Sequence, residues 1–417
     1  MKTSTTMIAA TALASCLMPS AGVNAHELTD GSRYPDLVQE STADDAISVY
    51  VVPVRGQVGT DILLEVYEPI IEDIKSQSPD MVIIHIDSHD YKDVDDEIQD
   101  IMEETGRPDE ADSSYPSLKP MAELRKAFAQ ELPDTHQVAY VEDAMSVASL
   151  LALSWEDLYI DPDADLGGAV VVWAWMAAPV VKDSQKYGKY LRAIMGDVQG
   201  IVQYAGWDEP DKRNFIQAMV APEAIATTTW RGRDAIWYGN NKGDFPVDTE
   251  HKVDSKMGIQ ELLGLTINLS GEQAEQLLVA DGTAAPDRFV KDILAQMGHR
   301  RYRLLGKDAS VKVEKHRSKW RAAAKRARDA IRLYGRMEGG AYMYQLQAAL
   351  RALNTYISAI KTNKAVKTRM QLERLPTDLT QLEMMREDLK EKIRNFNRGG
   401  GGAGGGGFGG GGGGGGM

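Results

Sequence analysis

The sequence predicts an α/β fold in which a mostly parallel sheet carries helices on its faces and a helical extension follows. Three observations predict it. From Ile47 to Ile160, short β-branched runs alternate with stretches whose apolar residues recur at helical spacing, the pattern of βαβ units. One of those runs, Val82-Ile83-Ile84-His85-Ile86, is apolar almost throughout, as suits a strand covered on both faces. Past Gly306 the composition turns to basic helix formers, with 11 Lys or Arg against three acidic residues from Lys307 to Arg336.

Taken in order, residues 26–45 are polar and read as irregular. Ile47 to Val54 reads as a strand closed by Arg55-Gly56. Leu63, Val66, Ile70, Ile71 and Ile74 then mark a helix, with Thr60 or Asp61 as its cap and Ser78-Pro79-Asp80 as its end. After the 82–86 strand, Val94, Ile98, Ile101 and Met102 give an acidic helix, and a Gly/Pro/Asp/Ser loop covers 106–118. Met121, Leu124, Phe128 and Leu132 mark the next helix, Gln137 to Val141 a strand, Ser146 to Leu153 a short helix and Asp157 to Ile160 another strand. The stretch from Leu166 to Val181 is apolar and uncharged, but it contains Gly167-Gly168 and Pro179 and is short for a membrane span, so it reads as buried core.

In the extension, Tyr342, Leu346, Leu350, Leu353, Ile357 and Ile360 continue the helical spacing, which breaks near Pro376 and resumes from Leu379 to Ile393. That pattern predicts an antiparallel or coiled-coil-like arm over 306–398. The basic stretch 307–336, with Trp320 and Tyr334 among its charges, has three readings: an anionic membrane surface, an acidic partner, or the acidic core of its own chain. The tail 399–417 is almost pure glycine and is expected to be disordered.

A net charge of −14 over 417 residues argues against nucleic acid as a partner, since phosphate binding needs a basic face. The single cysteine, Cys16, excludes a disulfide framework and thiolate metal sites in the body of the chain. Lys2, the apolar run from Met7 to Met18 and Val23-Asn24-Ala25 read as a signal peptide over 1–25. Export to the periplasm or cell envelope is the corresponding expectation. Leu13-Ala14-Ser15-Cys16 also resembles a lipobox, which would make the product a lipoprotein through Cys16.

The segment with chemistry to offer is Asp143-Ala144-Met145-Ser146-Val147-Ala148-Ser149, between a predicted strand and a predicted apolar helix. A serine at that junction has two readings. It is an ordinary helix cap, or it is a nucleophile beside free backbone N–H groups able to stabilise an oxyanion.

The order of pieces carries a resemblance. A strand and helix lead to a strand ending Asp87-Ser88, then come strand, small-X-Ser and apolar helix, then Asp157-Leu158-Tyr159-Ile160 through Gly167-Gly168. Further on, Leu265-Thr266-Ile267-Asn268-Leu269-Ser270-Gly271-Glu272-Gln273-Ala274 and Ala280-Asp281-Gly282 follow. This order resembles the Clp/crotonase-fold serine peptidases of the signal-peptide-peptidase A and NfeD kind, across a domain of residues 46–305. The resemblance implies Ser146 as nucleophile, Val147 N–H in the oxyanion hole, and Ser88 and His89 at the position of the second donor. It implies a lysine base on the helix after Gly167-Gly168, with Lys189 preferred for its spacing to Ala205-Gly206 and Lys186 as the other candidate. A histidine base of the Clp-protease kind does not fit, because no histidine lies between His136 and His251. A polypeptide substrate, self-assembly and a membrane-surface or membrane-protein partner are also implied, and no cofactor.

Two departures from the family keep a second reading open. Ser88-His89-Asp90 stands where the family has Gly-Gly, and Val147-Ala148 replaces Ala-Gly after the serine. Glycine permits the close backbone approach an oxyanion hole uses, so a catalytically degenerate scaffold that binds partners is the alternative to an active Ser-Lys peptidase. His85, Asp87, His89, Asp90 and Asp93 are metal-ligand types, but a solvated strand end explains them better and no metal is expected.

Overall fold

The structure, a computed structural model, describes residues 38–43, 45–56, 58–59, 61–89, 118–169, 184–221, 224–248, 266–340, 342–373 and 375–399. The expected signal peptide and lipobox, the acidic helix at 94–102, most of the apolar stretch after Ala169 and nearly all of the glycine tail lie outside them.

The chain begins with β1 (Gln39–Glu40), β2 (Ile47–Arg55), α1 (Leu64–Gln77) and β3 (Met81–His89). Next come α2 (Lys119–Glu131), β4 (His136–Met145), α3 (Val147–Ala152), β5 (Asp157–Ile160) and β6 (Asp165–Gly167). After α4 (Ser184–Val202) and α5 (Arg213–Val220), strands β7 (Ala226–Arg231), β8 (Asp234–Tyr238) and β9 (Phe245–Asp248) form a small antiparallel sheet. The chain then forms β10 (Asn268–Ser270), α6 (Gly271–Gln276), β11 (Gly282–Thr283), α7 (Phe289–Gln296) and β12 (Arg301–Leu305). Helices α8 (Ala309–Met337), α9 (Met343–Thr362), α10 (Lys364–Leu372) and α11 (Leu379–Gly399) complete the fold.

The main sheet runs β1-β12-β2-β3-β4-β5-β11 with every neighbouring pair parallel. The fold is therefore α/β with a parallel-dominated sheet and C-terminal helices. Short β6 continues the edge of β4 beyond β5, and β10 pairs antiparallel with β6.

Side-chain alternation along β2 and β3 divides the core in two, as a period of two requires. Tyr50, Val52, Val54, Val82, Ile84 and Ile86 face the cluster that includes α1, α2 and α3. Val49, Met81 and Ile83 face a smaller cluster closed by Ile293 and Leu294 of α7. Each such side chain, fully withdrawn from water, contributes ~1.5–3 kcal/mol.

Helix α1 buries Val66, Tyr67, Ile70, Ile71 and Ile74, the face its spacing predicts, and ends at Ser78 in the left-handed conformation. Its cap differs from expectation. Leu63 occupies the N-cap position with no side-chain cap, and Asp61 turns instead toward α8. The carboxylate is buried and meets Arg317 Nε and Arg321 Nη2, each at 3.1 Å.

With that contact, part of the basic helix lies on acidic groups of its own chain. Lys312 Nζ reaches Asp73 at 2.7 Å and Lys307 Nζ reaches Glu40 at 2.9 Å. Helix α8 packs on α1 and β2 as well as on α9 and α10. Trp320, Ala327, Tyr334, Leu353 and Leu389 belong to the same apolar cluster as Tyr50 and Val52. The predicted arm forms as helices, and those helices fold back over the sheet. Farther out, Glu373 holds Arg369 at 3.0 Å and also pairs with Arg328, joining α8 to the end of α10.

Candidate functional site

The sheet's C-terminal edge is where parallel α/β folds gather ligands, and Ser146 lies there between β4 and α3. Its backbone has φ 60° and ψ −132°, a left-handed conformation that costs a non-glycine residue ~1–3 kcal/mol. Ser146 stands at the N-cap position of α3, yet its side chain makes no capping bond. The ordinary-cap reading therefore fails. The turn is held from outside: Ser146 N–H donates to Gly167 O at 2.9 Å, and the Ser149 hydroxyl donates to Ser146 O at 2.6 Å.

The register shows how the chain reaches this turn. A bulge opposite Ile86 and Asp87 inserts Glu142 into β4, so that Asp143 pairs with Asp87 and Ala144 with Ser88. The extra residue shifts the inward phase from Ala139 and Val141 to Ala144, which joins the same cluster. Past Ala144 and Met145, each flanked by β3 on one side and β6 on the other, comes Ser146. Gly167 is required at this point. It has φ 148°, and an added Cβ would lie 2.2 Å from Ile267 O.

Ser146 is 2% exposed, and its hydroxyl makes no hydrogen bond to another described residue. The Val147 N–H, first in α3, likewise has no backbone acceptor among the described residues. An unsatisfied donor beside a serine oxygen is what an oxyanion hole needs. Ser88 and His89 come from the adjacent strand end, level with Ala144 and Met145. Ser88 is fully buried and donates its hydroxyl to Gly56 O at 2.7 Å, so that group anchors the β2–α1 turn. Strand β3 runs straight through His89, where the family pattern turns on glycines. The His89 side chain, Asp90 and Asp93 are outside the described residues.

Of the two lysines, both lie on α4, which packs against α3 and α2. Val198, Ile201 and Val202 form the buried face of α4. At ~100° per residue, Lys189 lies ~180° around the helix from Val198, and it is exposed without an ion pair among the described residues. Lys186 belongs to the first turn of α4, and its side chain is outside the described residues.

A charged group on the α7 side of the sheet was not foreseen. His85 Nε2 lies 2.6 Å from Glu142 Oε2, and Arg55 reaches Asp87 at 3.4 Å and Glu142 at 3.7 Å. Phe289 stacks on Tyr140, and both rings contact the His85 ring. Burial pushes the His85 imidazole below its ordinary value, against its hydrogen bond to the Glu142 carboxylate, which pulls it up. His85 and Asp87 stood out in the sequence as residues of a solvated strand end, but His85 is buried. Glu142 did not stand out, because the bulge that brings it there leaves no mark in the sequence. Among the described residues, no group of three or more His, Cys, Asp or Glu is placed to hold a metal ion.

No protein-family model matches the chain, and no curated protein matches it. Among solved structures, two of variants of the 1510-N membrane-bound stomatin-specific protease are similar, one of them in complex with a substrate peptide. Each is 12% identical over 60% of this chain, covering 80% and 84% of the respective structures, with a TM-score of 0.32 in both cases.

Proposed function

We propose that the chain is a Clp/crotonase-like serine hydrolase of the Ser-Lys type, acting on peptide bonds in unfolded or membrane-derived segments. One observation carries the reading: the strained backbone of Ser146 at a strand-to-helix turn on the edge of a parallel sheet. Serine hydrolases of other folds hold their nucleophile on a comparable sharp turn, and the N–H of the next residue serves the oxyanion. Strain of this kind persists only where surrounding contacts enforce it, and Gly167 and Ser149 enforce it here.

In this mechanism the Ser146 hydroxyl attacks the carbonyl carbon, its proton passes to a lysine amine, and Val147 N–H supports the oxyanion. The same amine, now protonated, donates to the leaving nitrogen, and water then hydrolyses the acyl-enzyme. A lysine base must be withdrawn from water to be neutral near pH 7. Lys189 is exposed, so Lys186 is placed first. Export and a cell-envelope location belong to the same proposal, on the N-terminal pattern alone.

Incubation of the full chain with a serine-directed fluorophosphonate tests the reading. Labelling at Ser146, lost in Lys186→Ala and retained in Lys189→Ala, supports it; labelling of another serine sinks it. A scaffold reading is favoured by one observation, the continuation of β3 as strand through His89, which removes the glycine turn that supplies a second oxyanion donor in the family. Absence of any labelling or hydrolysis would select it.

A further inference from the structure

Away from Ser146, the folded-back helices and α1 line a half-open cavity of about 580 Å³ between α1, α8, the end of α9, α10 and the start of α11. That volume falls within the ~300–1,000 Å³ of small-molecule sites. Its wall is apolar where Leu63, Val66, Trp320, Ile360 and Leu379 contribute. Four lysines, at 319, 361, 364 and 367, also line it, against one carboxylate, Glu65. Two of the four are neutralised: Lys364 pairs with Glu65 at 2.9 Å and Lys361 with Glu383 at 2.6 Å. Lys319 and Lys367 have no ion-pair partner among the described residues.

The start of α10 adds backbone donors to this wall. Asn363 caps α10 through Val366 N–H, which leaves the amides of Lys364 and Ala365 without acceptors among the described residues. A helix start with free amides favours an anion. Trp320 is 7% exposed, and its indole Nε1–H is buried with no hydrogen-bond partner. His316, on the same wall, is pushed down by burial and by Lys319 and Lys315, as expected in a positive field.

We infer that this cavity binds a small anionic amphiphile, its carboxylate or phosphate head held by Lys319, Lys367 and the start of α10, its apolar body against Trp320 and Ile360. The head-group chemistry is common to free fatty carboxylates and to anionic lipids.

Calorimetric titration of the full chain with decanoate and decyl phosphate, each kept monomeric, tests the site, with decanol and decyltrimethylammonium as controls. Both anions are expected to bind and the controls are not. Lys319→Glu/Lys367→Glu should weaken the anions by about tenfold or more while leaving the unliganded melting temperature near the parent's. Co-sedimentation with phosphatidylglycerol vesicles separates the sources: retention lost in the double variant assigns a membrane lipid, and no retention assigns a free amphiphile. Equal binding of decanol, undiminished anion binding in the double variant, or inorganic phosphate binding as tightly as decyl phosphate would each overturn the proposal. None of these readouts depends on Ser146, so failure of the peptidase reading leaves this test intact.

Discussion

Asp61 Oδ1 lies 3.1 Å from Arg317 Nε although 256 residues separate them. The carboxylate side chain is 5% exposed and also meets Arg321, so one buried anion in the turn after β2 holds the first C-terminal helix. Removing one partner of a buried pair leaves the other charge uncompensated, at ~3–5 kcal/mol. Asp61→Ala should lose stability of that order in urea unfolding. A loss below ~1 kcal/mol, the range of surface pairs, would show that the contact contributes little.

Because the helices and the sheet share one apolar cluster, truncation after Gly306 should damage the sheet domain itself. Without α8 to α11, the face bearing Tyr50 and Val52 loses Trp320 and Ala327 as neighbours in the cluster. A truncated chain should lose its near-ultraviolet circular dichroism and self-associate on size exclusion. A truncated protein that stays monomeric and melts cooperatively would show that the sheet domain stands alone.

At Ser146, glycine and alanine should behave differently. Both remove the hydroxyl and should abolish fluorophosphonate labelling. Ser146→Gly also relieves the positive φ, and after glycine's own entropic cost a gain of ~1 kcal/mol is expected. Ser146→Ala keeps the strain and should be near neutral. Equal melting temperatures for the two variants would mean that the turn stores no strain.

Gly167→Ala should be costly by ~2–4 kcal/mol, because the clash is with the Ile267 backbone oxygen, which has no rotamer to retreat into. The β6–β10 pairing, and with it the support for Ser146 N–H, should loosen, visible as faster amide exchange there. Unchanged exchange would separate the glycine from the site.

His85 supplies a pH signature. Folding holds its pKa below the ordinary value, mainly through burial, so an unfolded chain takes up a proton near pH ~6.5 while the folded chain resists. Below that pH the unfolded state binds more protons and stability falls with acidification. The decline in unfolding free energy from pH ~6.5 downward should flatten in His85→Gln. An unchanged slope would place the sensitivity elsewhere.

Much of the sheet was legible because local pattern determined it. The β-branched runs at Ile47, Val82, Gln137 and Asp157 became β2, β3, β4 and β5, and the spacing from Val66 to Ile74 became the buried face of α1. Strand β12 was missed: Arg301-Tyr302-Arg303-Leu304-Leu305 alternates charge and apolar residues only briefly, and its place beside β2 is a tertiary fact. At the site, the strand–Ser–helix order was visible, but the positive φ of Ser146 was not, since no glycine marks it. Asp61 looked like a cap because Asp is common there; a distant arginine outcompeted that role. The cavity under α8 arises only once four helices fold back, so nothing in the local sequence marked its lysines as a group.

The position of β12 bears on how the chain is made. Ile47 pairs with Tyr302 and Tyr50 with Leu305, so one side of β2 stays bare while nearly the whole sheet domain emerges from the ribosome. An uncovered strand edge is a template for pairing with another chain, and long-range parallel pairing forms slowly. Until β12 arrives, that edge of β2 is open to pairing with another chain.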